Sequence, residues 1–337
     1  FIKYPLNKRA FIFFHIIMAI RLVFCNYYDI SNSKLFSMLL KMYCVTSIYI
    51  VSIVTYDAYR FDVLYYIFMC QYSANIVLNL ITREDFFFKY RSCLKINDAV
   101  MGFRNIGIMP KDCTIAVSVM YLIKLLIYCK YASYNSVASV KFVCVLFVPM
   151  SGELSYLTVI MIFGSLYNRL KLMRRSLEKL SVPVNIIGKY EISIKIRQVR
   201  QCLRYYNNLL DYFESIEYYL QLKVSSNYFK LEIKKNKHIL FAELLHSIIY
   251  SSSPALICEL IMNEMEKTQM LLTRQYMRCS DESLRAELQL ALDYMRQRPF
   301  SFTVLGAVPL DASIPITTIG VCITYTIVLI QFIKVTL

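Results

Sequence analysis

Glycine and proline are scarce in this chain, and tryptophan is absent. Of its 337 residues, seven are glycine and eight are proline, while 57% are hydrophobic. A soluble α/β enzyme of this length normally has more glycine and proline and a smaller apolar fraction. No polar low-complexity tract or linker divides the sequence. The composition therefore predicts an all-α, polytopic membrane protein whose residues 1–337 form a single domain.

Clustered metal ligands and closely paired cysteines are missing as well. The three histidines, at positions 15, 238 and 246, have no partner at a metal-binding spacing such as HExxH. The eleven cysteines are scattered singly, without a CxxC pair. This pattern is typical of free, buried thiols. We therefore expect neither a metal site nor a cofactor.

Positive charge is abundant, with 38 Lys and Arg against 23 Asp and Glu. Such an excess can indicate a nucleic-acid-binding protein. Cytoplasmic loops of membrane proteins also concentrate Lys and Arg, however, and no basic face remains once the apolar runs are set aside. We therefore expect contact with a lipid bilayer and no binding of nucleic acid.

Six apolar runs are each near or above the roughly 20 residues that a helix needs to cross the ~30 Å hydrocarbon core of a bilayer. They lie at 35–56, 61–82, 114–134, 140–164, 239–262 and 314–333. A shorter run, 11–28, is interrupted by Arg21 and is followed by no small-residue cleavage site. It predicts a half-buried helix at the membrane surface, rather than a signal peptide or a span.

The basic residues indicate the orientation of these spans. Segment 165–238 carries fifteen Lys and Arg and six Asp and Glu, and segment 83–113 adds six basic residues. The links 57–60 and 135–139 hold one basic residue between them. Because cytoplasmic segments concentrate Lys and Arg, we expect both basic segments and the N-terminus in the cytosol. The C-terminus of this multi-pass plasma-membrane protein is then extracellular.

Apolar residues recur at helical spacing in segments that have no lipid to face. One such stripe is Leu166, Leu170, Met173 and Leu177, and a second is Leu284, Leu288, Ala291 and Met295. Ser280 can cap the second helix and Pro299 can end it. We expect these stripes to pack on each other, so that 165–238 and 264–301 form a cytosolic bundle of anchor helices.

The last span contains the nonapeptide TYTIVLIQF at residues 324–332. It resembles the TYhhhhhQF signature of the insect gustatory receptors at all four fixed positions: Thr324, Tyr325, Gln331 and Phe332. LRAELQLALDYM resembles the charged helix that precedes the last span in that family, and FSFTVLGAVPLDASIP resembles the connection between them. The resemblance is strongest over 260–337, and it is closest to a bitter-class receptor of the lepidopteran type.

This resemblance implies a seven-helix receptor that is unrelated to G-protein-coupled receptors. It implies a subunit of a ligand-gated, non-selective cation channel in the dendrite of a gustatory neuron, assembled as a homo- or heterotetramer with other gustatory receptor subunits. Residues 302–337 then form a re-entry helix and the pore-lining last span, with the four fixed residues at the pore or gate. The ligand is a small-molecule tastant. Thr326 stands where sugar-receptor relatives often carry Glu, which favours bitter or plant secondary compounds.

One region is shorter than the family pattern. Where the family has two spans and an outer loop, this sequence has only residues 237–265, which include Pro254 and three serines. We expect that this length cannot cross twice, so the fifth and sixth spans are shortened or merged. A missing exon, a pseudogene or a re-entrant hairpin would each explain it. Because the sequence begins with Phe1, we also expect its true start to lie upstream.

Five polar residues within the spans are candidate ligand contacts: Gln71, Lys124, Tyr128, Tyr131 and Glu153. Each also has a structural interpretation. Gln71 begins a stripe of amides, with Asn75 and Asn79, that can form hydrogen bonds between helices. Lys124 and Glu153 can pair, and the tyrosines can belong to the interfacial aromatic belt.

Other functions remain open alternatives. An odorant receptor shares the same fold, and the TYhhhhhQF ending favours the gustatory type. A transporter or an enzyme is the alternative from another class, but the chain has no internal repeat and no HExxH, GxSxG or Walker pattern. We therefore expect no enzymatic activity. A truncated, non-functional receptor is the remaining alternative.

Overall fold

A computed structural model describes residues 8–28, 34–59, 63–82, 85–103, 106–135, 139–180, 188–227 and 237–304, and then 306, 308–313, 316, 317, 320, 324 and 331. Within these residues the chain is almost entirely helical, which confirms the all-α expectation. The helices are α1 (Lys8–Val23), α2 (Lys34–Tyr59), α3 (Val63–Thr82), α4 (Asp85–Val100), α5 (Lys111–Asn135), α6 (Ser139–Lys179), α7 (Lys189–Asn227), α8 (Lys237–Arg278) and α9 (Glu282–Gln297). Two short strands, β1 (Thr303–Val304) and β2 (Val308–Pro309), pair antiparallel.

Two long helices, α6 and α8, form the centre of the fold. α8 has 42 residues, a length of about 63 Å at ~1.5 Å per residue. Arg174 Nε donates to Glu264 at 2.7 Å, and Gln275 Nε2 donates to the Leu177 carbonyl at 2.9 Å. The later residue of α6, Leu177, contacts the later residue of α8, Gln275, so the two helices run in the same direction.

A proline lies within α8 and does not break it. Pro254 has no N–H, so it leaves the carbonyl of Tyr250 without the usual helical donor. The hydroxyl of Ser253 donates to that carbonyl at 2.6 Å. Side-chain hydroxyls of this kind let proline persist in a membrane helix. Because α8 is one continuous helix, the re-entrant hairpin, one of three explanations for the short region, is wrong.

α7 runs antiparallel to both α6 and α4. The rings of Phe213 and Phe163 contact each other, and Phe86 stacks on Tyr219. Farther toward the other end of these helices, Tyr205 bonds Asp98. Phe213 of α7 therefore lies beside the carboxyl end of the predicted span 140–164, and Tyr205 lies beside the carboxyl end of α4.

The amphipathic helix α9 closes the bundle at the end of α8. Its predicted stripe of Leu284, Leu288, Ala291 and Met295 is buried, which confirms that expectation. The predicted cap is off by one residue, since the N-cap is Asp281 and not Ser280. The Asp281 carboxylate accepts from the Leu284 N–H at 2.8 Å, which satisfies a donor at the helix start.

Among the described side chains of α1, residues 15–23, exposed and buried positions alternate, and the carboxyl end packs into the bundle. Arg21 is fully buried, and its Nε donates to the Leu154 carbonyl of α6 at 2.9 Å. Asn26, just beyond the helix, donates to the Ser151 carbonyl at 3.0 Å. These two bonds hold the end of α1 against α6 rather than at an open surface.

Two stretches of the described helices, Lys34–Val54 and Phe147–Lys179, are long and apolar enough to cross a membrane. They differ in their surroundings. The first belongs to α2, where Leu35, Met38 and Leu39 are exposed on the outside of the bundle. The second belongs to α6 and lies mostly inside it.

Candidate functional site

A buried ion pair lies between two helices in the middle of the bundle. Lys124 Nζ of α5 is 3.0 Å from a carboxylate oxygen of Glu153 of α6, and the two side chains are 2% and 3% exposed. Both residues were candidate ligand contacts or pairing partners from the sequence alone. The structure brings these two candidates together.

Aromatic side chains from three helices surround this pair. The hydroxyls of Tyr121 (α5) and Tyr250 (α8) are 2.9 Å apart, and Tyr250 also donates to the Glu153 carbonyl. Tyr156 (α6) packs against Tyr250 with ring centroids 5.4 Å apart and donates to the Ser251 carbonyl at 2.9 Å. His246 stacks on Tyr250 at 5.9 Å. We call the set the Lys124 cluster: Lys124, Glu153, Tyr121, Tyr156, His246 and Tyr250.

The Lys124 cluster combines opposite charges, hydroxyl groups and aromatic faces within a low-dielectric interior. Polar groups of this kind are costly inside a membrane protein and often mark sites of function. Hydroxyl and imidazole groups can exchange hydrogen bonds with a small polar molecule, and the rings can stack on an aromatic one. The cluster is therefore chemically suited to binding a small polar or aromatic ligand.

Sequence reasoning did not identify four of these residues. Tyr121 lies three positions before Lys124, and Tyr156 lies three positions after Glu153, so each shares a helix face with its charged neighbour. That spacing could have singled them out. His246 and Tyr250 are four apart on α8, but only the packed structure shows that their face turns toward α5 and α6.

The amide stripe of α3 connects helices. The Ser155 hydroxyl of α6 donates to Asn79 Oδ1 at 3.4 Å, and Asn75 Nδ2 is 3.5 Å from the Ser151 carbonyl of α6. Asn79 Nδ2 also donates to Asn26 Oδ1, beyond α1, at 2.9 Å. The prediction of interhelical hydrogen bonding is thus confirmed for these two residues. Gln71, the candidate ligand contact at the other end of the stripe, is half-buried on α3, whereas the Lys124 cluster is built from α5, α6 and α8.

Other predicted site residues lie at or beyond the limits of the described structure. The side chains of Tyr128 and Tyr131 lie outside the described residues, as do Tyr325 and Phe332. Thr324 and Gln331 are described, and both are exposed on the single chain. The Thr324 hydroxyl donates to the Gly320 carbonyl at 2.9 Å.

A second buried network joins α4, α6 and α7 outside the predicted spans. Arg169 donates to both carboxylate oxygens of Asp98, at 3.1 and 2.7 Å, and the Tyr205 hydroxyl donates to the same carboxylate at 2.7 Å. Burial, helped by the Asp98 carboxylate, raises the pKa of Tyr205. Burial and repulsion from Arg169 lower the pKa of Arg91 to about 10. The bidentate geometry indicates a rigid structural joint.

An open groove of about 410 Å³ lies between α8 and α9. The residues that line it carry charges of both signs and include two methionines. They are Glu266, Gln269, Met270, Thr273, Arg274, Met277 and Arg296. No group of three or more His, Cys, Asp or Glu side chains that could hold a metal ion occurs among the residues described.

Comparisons with known proteins agree with this architecture. The model of the 7tm chemosensory receptor family matches residues 238–336. Among solved structures, the chain is similar to the insect olfactory receptor OR5 from Machilis hrabei in complex with eugenol. The sequence identity is 14% and the TM-score is 0.54, and the match covers 97% of this chain and 98% of that chain. A search of curated protein sequences found no match.

The family match lies over the region where the sequence resemblance is strongest, and the structural match extends the fold to nearly the whole chain. Both the resemblance to the chemosensory receptors and the seven-helix fold class are therefore confirmed. The matched family is one of receptors, in line with the expectation that the chain is not an enzyme.

Proposed function

We propose that this chain, a multi-pass membrane chemoreceptor of the insect type, is a gustatory receptor that forms a ligand-gated, non-selective cation channel. The observation that carries the proposal is the nonapeptide TYTIVLIQF at 324–332, which lies within the region matched by the chemosensory family. The olfactory receptors share the fold, so an odorant receptor is the second candidate, favoured by the structural neighbour.

The Lys124 cluster is the proposed ligand site. Its charged pair and three tyrosines converge from α5, α6 and α8, and polar groups of this kind within a membrane protein often mark sites of function. The olfactory receptor of similar fold was solved with eugenol. By analogy, a small tastant that offers hydrogen-bonding groups and an aromatic face fits this chemistry, and bitter plant secondary compounds belong to that class. Gln71, Tyr128 and Tyr131 are proposed as further contacts.

The pore is proposed to be lined by the last span in a tetramer, either of this chain alone or with other gustatory receptor subunits. Thr324 and Gln331 are exposed on the single chain. They are seven residues apart, so they share one face of a helix. Four copies would present rings of hydroxyls and amides to permeating cations, and Tyr325 and Phe332 would lie on the neighbouring face.

The orientation is proposed from charge. Because fifteen basic residues lie in 165–238, the carboxyl end of α6, the start of α7, the N-terminus and the anchor helices 264–301 are cytosolic, and the C-terminus is extracellular. α8 runs in the same direction as α6, so its first residues lie on the outer side. The receptor is placed in this way in the dendrite of a gustatory neuron, with its proposed ligand site buried between α5, α6 and α8. We expect the short 237–265 region to limit the outer wall of that site.

The proposal is tested by whole-cell recording. The chain is expressed alone and with other gustatory subunits, its surface level is measured by an extracellular C-terminal tag, and currents are recorded with bitter plant compounds and with volatile odorants. Cation currents evoked by the bitter compounds support a gustatory receptor. Responses confined to volatiles favour the odorant receptor, and silence at normal surface levels favours a non-functional receptor.

A further inference from the structure

The turn that ends α1 places a cysteine where glycine is usual. The Cys25 N–H donates to the Leu22 carbonyl at 3.0 Å, and the Asn26 N–H donates to the Arg21 carbonyl at 2.9 Å. This pair of bonds is the Schellman motif, whose left-handed position favours glycine. The φ of Cys25 is +62°, and no other described residue apart from glycine has a positive φ. Cys25 therefore adopts this conformation at a cost that glycine would not carry.

The Cys25 side chain meets a second thiol on α2. Cys25 Sγ lies 2.8 Å from Ser47 Oγ, and the Cys44 thiol lies 3.6 Å from the Cys25 carbonyl oxygen. Both cysteines are free and fully buried. Because Cys44 and Ser47 are three residues apart, they share the face of α2 that turns toward Cys25.

The polar surroundings of the two thiols are also ordered. The Ser47 hydroxyl donates to the Cys44 carbonyl at 2.8 Å, so its oxygen is free to accept the Cys25 proton. The Tyr72 hydroxyl of α3 lies 3.3 Å from Ser47 Oγ. A hydroxyl group beside sulfur can accept a hydrogen bond from a thiol, and after rotation it can donate one to a thiolate. Three helical segments therefore build one environment around the two sulfur atoms.

We propose that Cys25 and Cys44 form a redox-modifiable dithiol that hydrogen peroxide converts to a disulfide. The burial of both thiols selects a small, uncharged oxidant. In the first step, the Cys25 sulfur loses its proton and attacks one peroxide oxygen. The O–O bond breaks, and the departing hydroxide takes the proton to form water. Cys25 is then a sulfenic acid.

In the second step, the Cys44 sulfur attacks the Cys25 sulfur. The Cys25 S–O bond breaks, and hydroxide leaves with the Cys44 proton as a second water. The two thiols have lost two electrons in all, and one peroxide has been reduced to two waters. The disulfide ties the end of α1 to α2. Since Arg21 and Asn26 bond the carbonyls of Leu154 and Ser151 on α6, the disulfide also links α2 to α6 through the end of α1.

Mass spectrometry tests this modification directly and does not depend on any ligand. Membranes that contain the full chain are treated with hydrogen peroxide, denatured with N-ethylmaleimide to block free thiols, and digested with trypsin without reduction. Cleavage at Arg21, Lys34, Lys41 and Arg60 leaves Cys25 and Cys44 as the only cysteines of peptides 22–34 and 42–60. The expected product is these two peptides joined, two hydrogen atoms lighter than their sum, and lost after dithiothreitol.

Two variants complete the test. In Cys44→Ser the second step is blocked, so peptide 22–34 should carry a sulfenic acid that dimedone traps. Cys258→Ser, which removes another buried thiol, should leave the joined product unchanged. The proposal is overturned if both peptides of the unaltered chain remain fully alkylated across the peroxide series. A disulfide from either cysteine to a different partner also overturns it.

Discussion

Lys124 and Glu153 neutralise each other inside the helical bundle, with the ammonium group 3.0 Å from the carboxylate. Neither charge reaches the surface of the chain, since the two side chains are 2% and 3% exposed. A buried pair of this kind is costly to break, because removing one partner leaves the other as an uncompensated buried charge. The pair therefore connects α5 to α6 at the proposed ligand site.

Removing one charge of this pair should lower the free energy of unfolding more than removing both charges. We expect Lys124→Met to destabilise the receptor by about 3–5 kcal/mol, because Glu153 is left buried without its cation. The double variant Lys124→Met with Glu153→Gln should recover most of that loss. Thermal unfolding in detergent, followed by size-exclusion chromatography, measures both. Lys130→Met changes an exposed lysine of the same helix and should have little effect.

The recovered double variant also separates binding from folding. If the Lys124 cluster holds the ligand, this variant should reach the surface and yet respond to tastants with a much higher half-maximal concentration. Equal stability of the single and double variants would contradict the pairing, and an unchanged ligand response would contradict the proposed site.

The network around Asp98 should behave as a structural joint without a role in binding. Asp98→Asn removes the charge that Arg169 and Tyr205 share, so we expect a loss of roughly 3 kcal/mol in the free energy of unfolding. Asp112→Asn changes an exposed carboxylate in the first turn of α5 and should lose less than about 1 kcal/mol. Thermal scans of the purified proteins measure both variants. Equal unfolding temperatures for Asp98→Asn and Asp112→Asn would contradict a structural role for the Asp98 network.

Two leucines of α9 should respond differently to the same change. Leu288 is fully buried within the chain, whereas Leu290 is 57% exposed. Leu288→Asp buries a carboxylate without a partner and should prevent recovery of folded protein. Leu290→Asp should leave the monomer folded, and it should reduce tetramers only if the outer face of α9 contacts a neighbouring subunit. Native gels of both variants measure the yield of folded protein and of tetramers. A normal yield of folded Leu288→Asp would contradict the burial of Leu288.

The orientation can be tested with cleavable tags in intact cells. A tag near Val182, which lies outside the described residues within the basic segment 165–238, should be protected from external protease. A tag after Leu337 should be cut. After the cells are permeabilised, both should be cut. Cleavage of the Val182 tag in intact cells would reverse the topology.

Patterns that depend on one helix were predictable from the sequence. The α9 stripe that includes Leu288 follows from spacing alone, and it is buried as expected. The interhelical role of Asn79 follows from the cost of an amide within a span. Lys124 and Glu153 were each recognised as unusual for the same reason, although their pairing was one of two interpretations.

Features that depend on how helices meet were not predictable. The meeting of Tyr121 and Tyr250 requires a specific rotation and depth of α5 and α8, which no local pattern encodes. The cap at Asp281 was missed because its neighbour Ser280 is an equally good capping type. The short region with Pro254 and the serines before it was expected to be unable to cross twice, and it forms one continuous helix. Within that helix the Ser253 hydroxyl supplies the hydrogen bond that proline cannot.

We propose that this chain forms a cation channel lined by its last span, and reversal potentials under bi-ionic conditions test this proposal most directly. Gln331→Glu should place four carboxylates around the pore and shift the reversal potential toward that of divalent cations, at an unchanged surface level. Gln289→Glu makes the same chemical change at an exposed position of α9 and should not shift it. An unchanged reversal potential for Gln331→Glu, at normal surface expression and normal current, would show that this residue does not line a pore.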